Sequence, residues 1–170
     1  MNDRGQLEVL FLCTGNSARS ILGEYLLRSM DPRVATYSAG AAPTGKVHPM
    51  AQHVLLQDYG IDASQAASKS WETLAEVDLD LVITVCDHAR DTCPLWPGKP
   101  TVVVHWGSPD PAAVTGSEQE VEEAFRRVAQ QIHGRLERFC ALPYDSMLRE
   151  QWIHQLQAIG GEPAASPEAD

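Results

Sequence analysis

The chain has 170 residues, 44% of them hydrophobic and 21% charged, which fits one globular domain long enough to bury a sizeable core. A formal net charge of -10 argues against nucleic-acid binding, which needs a basic face, and an anionic ligand would have to be drawn by local donors instead of the overall field. No run approaches the ~20 apolar residues of a membrane span and the N-terminal residues carry no signal-peptide core, so a cytoplasmic protein without a membrane partner is expected.

Glu8 to Leu12 reads as a buried strand, and Ser20 to Met30 as a helix with Ile21, Leu22, Tyr25, Leu26 and Leu27 on its core side, ended by Asp31-Pro32. Val34 to Ser38 suits a second short strand, and Ala39 to Val47 a loop containing Gly and Pro. Pro49 to Tyr59 suits a helix with proline in its first turn and Gly60 as its stop. Trp71 and Leu74 mark a short helical segment, while Asp80 to Val85 and Thr101 to His105 are β-branched apolar runs expected as strands. Ser117 with Glu120 forms a capping box at the start of the longest helical pattern, which runs to Phe139. Its stripe of Val121, Ala124, Phe125, Val128, Ile132, Leu136 and Phe139 reads as core packing. Tyr144 to Leu156 suits a short helix whose role the sequence does not reveal. Gly160 to Asp170 lacks large apolar residues and is expected to be disordered.

Strands alternating with helices predict an α/β fold, a four-stranded parallel sheet with helices on both faces. Ligands of such sheets bind beyond the carboxyl ends of the strands, and Cys13, Cys86 and the segment after His105 all follow strands at that end.

The most informative run is Cys13-Thr14-Gly15-Asn16-Ser17-Ala18-Arg19-Ser20, between the first strand and the first helix. Gly15 and its small neighbours let backbone N–H groups turn inward, and the helix that follows presents its positive end, so a tetrahedral anion can be held by main-chain donors. Arg19 adds a planar fork able to grip two oxygens. The same field favours the thiolate of Cys13, the attacking species, and Ser20 is placed to donate to the sulfur. A tight turn carrying a buried structural cysteine is the bland alternative.

Four cysteines in a reducing compartment are not expected to form a static disulfide framework, so any disulfide should be transient and catalytic. Cys86 and Cys93 lack short ligand spacing and His88 does not complete a recognisable site, so neither a metal nor a cofactor is expected. Cys140, just past the long helix, reads as a structural thiol.

The Cys13 to Ser20 run, together with Tyr37-Ser38-Ala39-Gly40, Gly60-Ile61-Asp62 and Asp110-Pro111, resembles the low-molecular-weight tyrosine phosphatase superfamily. Cys86 and Cys93, followed by His105-Trp106-Gly107, resemble the thioredoxin-coupled arsenate reductases within it. The likeness covers Leu7 to Phe139. It implies residues 1–142 as a phosphatase-like reductase domain and 143–170 as a C-terminal extension. It also implies Cys13 as the nucleophile, the stretch Thr14, Gly15, Asn16, Ser17, Ala18, Arg19 and Ser20 as the oxyanion cradle, and Asp110 as the general acid. Cys86 would then expel arsenite and leave a Cys13–Cys86 disulfide, and Cys93 would carry the oxidation outward as a Cys86–Cys93 disulfide. Arsenate is the implied substrate and thioredoxin the implied reductant, with glutaredoxin and glutathione, or mycothiol, as alternatives.

Some departures accompany the likeness. Ala18 stands where some arsenate reductases carry another loop cysteine. Ala112-Ala113-Val114 stands where tyrosine phosphatases of the superfamily supply tyrosines to stack on the substrate ring, so the run suits a small inorganic anion better than a phosphotyrosine. Some relatives bind potassium through groups matching Asn16, Glu24 and Ser38 plus an aspartate, and here Lys69 occupies the aspartate's position, where its ammonium could pair with Glu24 and replace the ion, the bland alternative being a lysine that points into water. A protein tyrosine phosphatase with protective thiols, and a non-catalytic redox or arsenical-binding module, are the alternative functions.

Overall fold

The computed structural model describes residues 2–92 and 101–161. Four strands, β1 (Leu7–Cys13), β2 (Val34–Gly40), β3 (Leu81–Thr84) and β4 (Val102–His105), form one parallel sheet in the order β2-β1-β3-β4. β1 and β3 are buried along their whole length, as expected of central strands covered on both faces. Ala39 and Gly40, expected in a loop, instead extend β2, because they pair in register with Leu12 and Cys13.

Helix α1 (Arg19–Met30) connects β1 to β2, and α3 (Asp87–Thr92) connects β3 to β4 in the opposite direction across the sheet. By the general right-handed rule for parallel strands, crossovers running in opposite directions carry their helices on opposite faces of a sheet. Strand order therefore reverses between β1 and β3, and a crevice opens at their carboxyl ends. Cys13 closes β1 and Cys86 lies just beyond β3, one on each side of that crevice.

The apolar stripes do what their spacing predicts. Ile21, Leu22, Leu26 and Leu27 of α1 are buried. Helix α2 (Pro49–Tyr59) has proline in its first turn, His48 Nδ1 accepting from the Met50 amide at 3.1 Å, and Gly60 at φ 67° as its left-handed stop. A 3-10 turn covers Trp71–Leu74. Helix α4 (Glu118–Ala141) opens on the Ser117/Glu120 capping box and buries Phe125, Val128, Ile132, Leu136 and Phe139 against α1 and α2.

The last helix departs from expectation. A turn in which the Ser146 amide donates to the Pro143 carbonyl at 2.9 Å delays it, so α5 spans Arg149–Gly161 instead of beginning near Tyr144. Gly160 and Gly161, expected within a disordered tail, belong to this helix, while 162–170 lie outside the described residues. Trp152, Leu156 and Ile159 are buried, and α5 packs against β4 and α4.

Candidate active site

The loop leaving β1 is braced from outside by its carbonyls. The amides of Ala41, Ala42, Thr44 and His48 donate to the carbonyls of Cys13, Thr14, Gly15 and Ser17 at 3.0, 2.9, 3.0 and 2.8 Å, and Ser68 Oγ adds a bond to Gly15 O at 3.1 Å. A trans peptide points its N–H opposite its C=O, so outward carbonyls turn the N–H groups of Thr14, Gly15, Asn16 and Ala18 to the concave side. The Asn16 amide donates to Cys13 Sγ at 3.2 Å. Gly40 lets the end of β2 approach this loop, since a Cβ there would sit 2.5 Å from Thr14 O.

Asn16 holds the loop's left-handed residue, with φ of 47°, a conformation asparagine tolerates better than most. Its fully buried side chain is fixed at both ends. The Lys69 amide donates to Oδ1 at 2.8 Å, which settles the amide orientation, and Nδ2 donates to Ser20 Oγ at 2.8 Å. Ser20 Oγ, which accepts from Asn16, lies 2.9 Å from Cys13 Sγ, within hydrogen-bond reach of the sulfur. The thiol expected to act as nucleophile thus faces a backbone amide and a hydroxyl, both able to stabilise a thiolate.

Arg19 begins α1 and crosses the crevice. Its Nη1 donates to Ser108 O at 2.8 Å and to Val85 O at 3.4 Å, while Nη2 lies 3.7 Å from Asp110 Oδ2. The guanidinium is largely buried, whereas the Asp110 side chain is 45% exposed. Asp110 Oδ1 accepts from the Ala112 amide at 3.0 Å, capping a 3-10 turn over Pro111–Ala113. One carboxylate oxygen is thereby spent on the turn and the other is left beside Arg19.

Across the crevice, Cys86 Sγ lies 3.2 Å from Thr14 Oγ1 and accepts from the Ala89 amide at 3.4 Å. Cys13 and Cys86 are both free and buried. Beside Cys86, His105 at the end of β4 spans Thr84 Oγ1 at 2.8 Å and Asp87 Oδ1 at 3.2 Å, tying the ends of β3 and β4 to the start of α3. Sequence reasoning missed that link. Its only trace was the position of His105 at the end of a strand.

Cys13, the cradle from Thr14 to Ser20, Arg19, Asp110 and Cys86 therefore converge, while Cys93 lies outside the described residues. Cys140 is elsewhere, its carbonyl 3.4 Å from Arg33 at the opposite end of the sheet, and burial pushes its thiol up to about 11. Among the described residues no three His, Cys, Asp or Glu side chains gather as a metal site.

The Lys69 expectation needs correcting in one respect. Glu24 forms its ion pair at contact distance with Arg28, at 2.6 Å, and Ser38 stands between Glu24 and the Lys69 ammonium. Nζ lies 3.5 Å from Ser38 Oγ and donates to Ala67 O at 3.0 Å, while Ser38 donates to Glu24 Oε1 at 2.6 Å. Burial lowers the ammonium's pKa from the ordinary lysine value, opposed by the charge of Glu24 and reinforced by Arg28.

Comparison with known proteins agrees with this geometry. The family model for low molecular weight phosphotyrosine protein phosphatase matches residues 8–152. The chain belongs to that family. An arsenate reductase of Halalkalibacterium halodurans is 39% identical over 136 residues, covering 77% of this chain and 93% of that protein. A solved arsenate reductase in its oxidised state superposes with a TM-score of 0.63 at 27% identity, covering 76% of this chain and 93% of that one. The thioredoxin-dependent arsenate reductase of Corynebacterium glutamicum superposes with a TM-score of 0.61 at 26% identity, covering 82% of this chain and 62% of that one. The four-stranded parallel sheet of the low molecular weight phosphatase family is thus the fold observed here.

Proposed function

We propose that this protein reduces arsenate to arsenite, with Cys13 as nucleophile. The carrying observation is the pairing of two buried free thiols across the crevice, with Cys86 held to Thr14 of the oxyanion loop at 3.2 Å. Hydrolysis of a cysteinyl intermediate by water needs one thiol, whereas reduction of arsenic needs a second to supply electrons. The relatives named arsenate reductase support the same reading.

The Cys13 thiolate attacks arsenic while the loop amides and Arg19 hold the remaining oxygens, and Asp110 gives a proton to the departing oxygen, which leaves as water. Cys86 then attacks Cys13 Sγ. The electron pair of the sulfur–arsenic bond passes to arsenic, As(V) becomes As(III), and arsenite leaves behind a Cys13–Cys86 disulfide. Cys93 attacks Cys86, freeing Cys13 and forming a Cys86–Cys93 disulfide that an external dithiol reduces. Thioredoxin is the proposed dithiol, in line with the named dependence of the Corynebacterium relative, and the cytoplasm, where thiols are kept reduced, is the proposed location.

An arsenate reduction assay with thioredoxin, glutaredoxin plus glutathione, and mycothiol supplied separately tests this reading. Arsenite formation with thioredoxin is expected. Turnover of para-nitrophenyl phosphate with no arsenite under any reductant would make the protein a phosphatase instead.

A further inference from the structure

The segment from Trp106 to Asp110, which carries the proposed acid, is gripped from behind by groups outside the active site. Arg135, in the middle of α4, is 5% exposed, and its Nη1 donates to Gly107 O at 2.9 Å while Nη2 lies 3.5 Å from Gly160 O in the last turn of α5. The indole of Trp106 donates to Leu156 O, also in α5, at 2.9 Å. Gly160 packs so closely on the start of the segment that a Cβ would run into His105 O and the Trp106 ring. On the opposite side, Arg19 holds Ser108 O at 2.8 Å. Consecutive carbonyls, Gly107 and Ser108, are thus held by two arginines, one in the active site and one beneath it.

We propose that Arg135 is a positioning residue for the acid step, fixing the backbone that presents Asp110 to the oxygen leaving the bound anion, with α5 as the backing of the same segment. Two carbonyls on different elements suit the rigid fork of a guanidinium, which can serve both without moving. A carboxyl delivers a proton efficiently only when its oxygen sits within hydrogen-bond reach of the leaving atom, so a loosened segment slows this step while the amides of residues 14–18 still hold the anion. The inference rests on the assignment of Asp110 as general acid.

The test uses the full chain with arsenate and no external thiol, following arsenite formed in a single turnover, the binding of inorganic phosphate, and amide exchange across residues 107–110. Arg135→Met is expected to slow arsenite formation about tenfold while phosphate binding stays within about twofold. Exchange across 107–110 should quicken. In an Asp110→Asn background the same substitution should change the rate by less than about twofold, because the step it assists is already lost.

A wild-type rate for Arg135→Met beside a slow Asp110→Asn would overturn the proposal and leave the acid in place, as would multiplicative losses in the double variant. A wild-type rate for Asp110→Asn would remove the acid and this proposal with it. If the wild-type protein forms no arsenite the proposed function fails, and unchanged exchange in Arg135→Met would overturn the backing role on its own. Should Arg135→Met not fold, Gly160→Ala is expected to give the same pattern by forcing α5 away from His105 and Trp106, and a wild-type rate there is the overturning result.

Discussion

Thr14 Oγ1 and Cys86 Sγ lie 3.2 Å apart although 72 residues separate them, which joins the anion-binding loop after β1 to the thiol after β3. The contact places the second thiol beside the loop before any substrate is bound. Cys86→Ser should therefore bind phosphate as well as the wild type does and yet form no arsenite, since a serine hydroxyl cannot displace the Cys13 sulfur from arsenic. Isothermal titration with phosphate and an arsenite assay check the two halves. Arsenite produced at the wild-type rate would remove Cys86 from the reaction.

The place of the Lys69 ammonium is the next test. With the Lys69 ammonium beside Ser38 and in the field of Glu24, the position is already positively charged. Activity and melting temperature should barely differ between potassium, sodium and choline salts at equal ionic strength. Lys69→Asp sets a second carboxylate near Glu24 and should make both quantities depend on potassium. Specific activation of the wild type by potassium would show that Lys69 does not fill this role.

Asp31 offers a prediction about pH. Arg33 donates to its carboxylate from Nε at 2.9 Å, from Nη2 at 2.8 Å and from the backbone amide at 3.0 Å, and Asp31 is buried at the end of α1. The hydrogen bonds from the Arg33 side chain hold its carboxyl below the usual range. A depressed folded-state value stabilises the protein above the ordinary carboxylate pKa and loses that contribution as pH falls through the lowered one. Asp31→Asn should cost about 1–3 kcal/mol at pH 7 in urea unfolding, with the gap narrowing below about pH 4. A gap that holds constant down to pH 2 would rule the ion pair out as its origin.

Cys140 gives a control among the thiols. Burial lifts it from an ordinary value of 9.0 to about 11, so at neutral pH its thiolate fraction should fall roughly a hundredfold below that of an unperturbed thiol. Limited alkylation of the reduced protein at pH 7.5, read by peptide mass spectrometry, should leave Cys140 the least modified of the described cysteines.

Local patterns made much of this legible. Proline at the start and glycine at the end bounded α2, the Ser117/Glu120 pair opened α4, and the β-branched runs located β3 and β4 to within two residues at each end. Cys13, Arg19 and the small-residue loop were readable because one continuous run encodes them. What the sequence could not show was set by packing between distant elements. Ala39 and Gly40 look like loop residues until β1 offers them partners, and Gly160 looks like a flexible tail until Trp106 is seen to leave no room for a side chain. Arg135 sits within the apolar pattern of α4, where a charged residue ordinarily faces water, and only the fold brings Gly107 O to it.

The pairing of β1 with β3 also shapes the stability of the oxidised forms. On the proposed relay, a bond between Cys13 and Cys86 closes a loop of about seventy residues and restricts the unfolded chain by about 4 kcal/mol, whereas one between Cys86 and Cys93 closes only about eight and restricts it by about 2.5 kcal/mol. Each turnover would carry the molecule from an open chain through a widely cross-linked state to a narrowly cross-linked one. Resistance to unfolding would then rise and fall within the reaction cycle, greatest while arsenite is leaving and lower again by the time the external dithiol arrives.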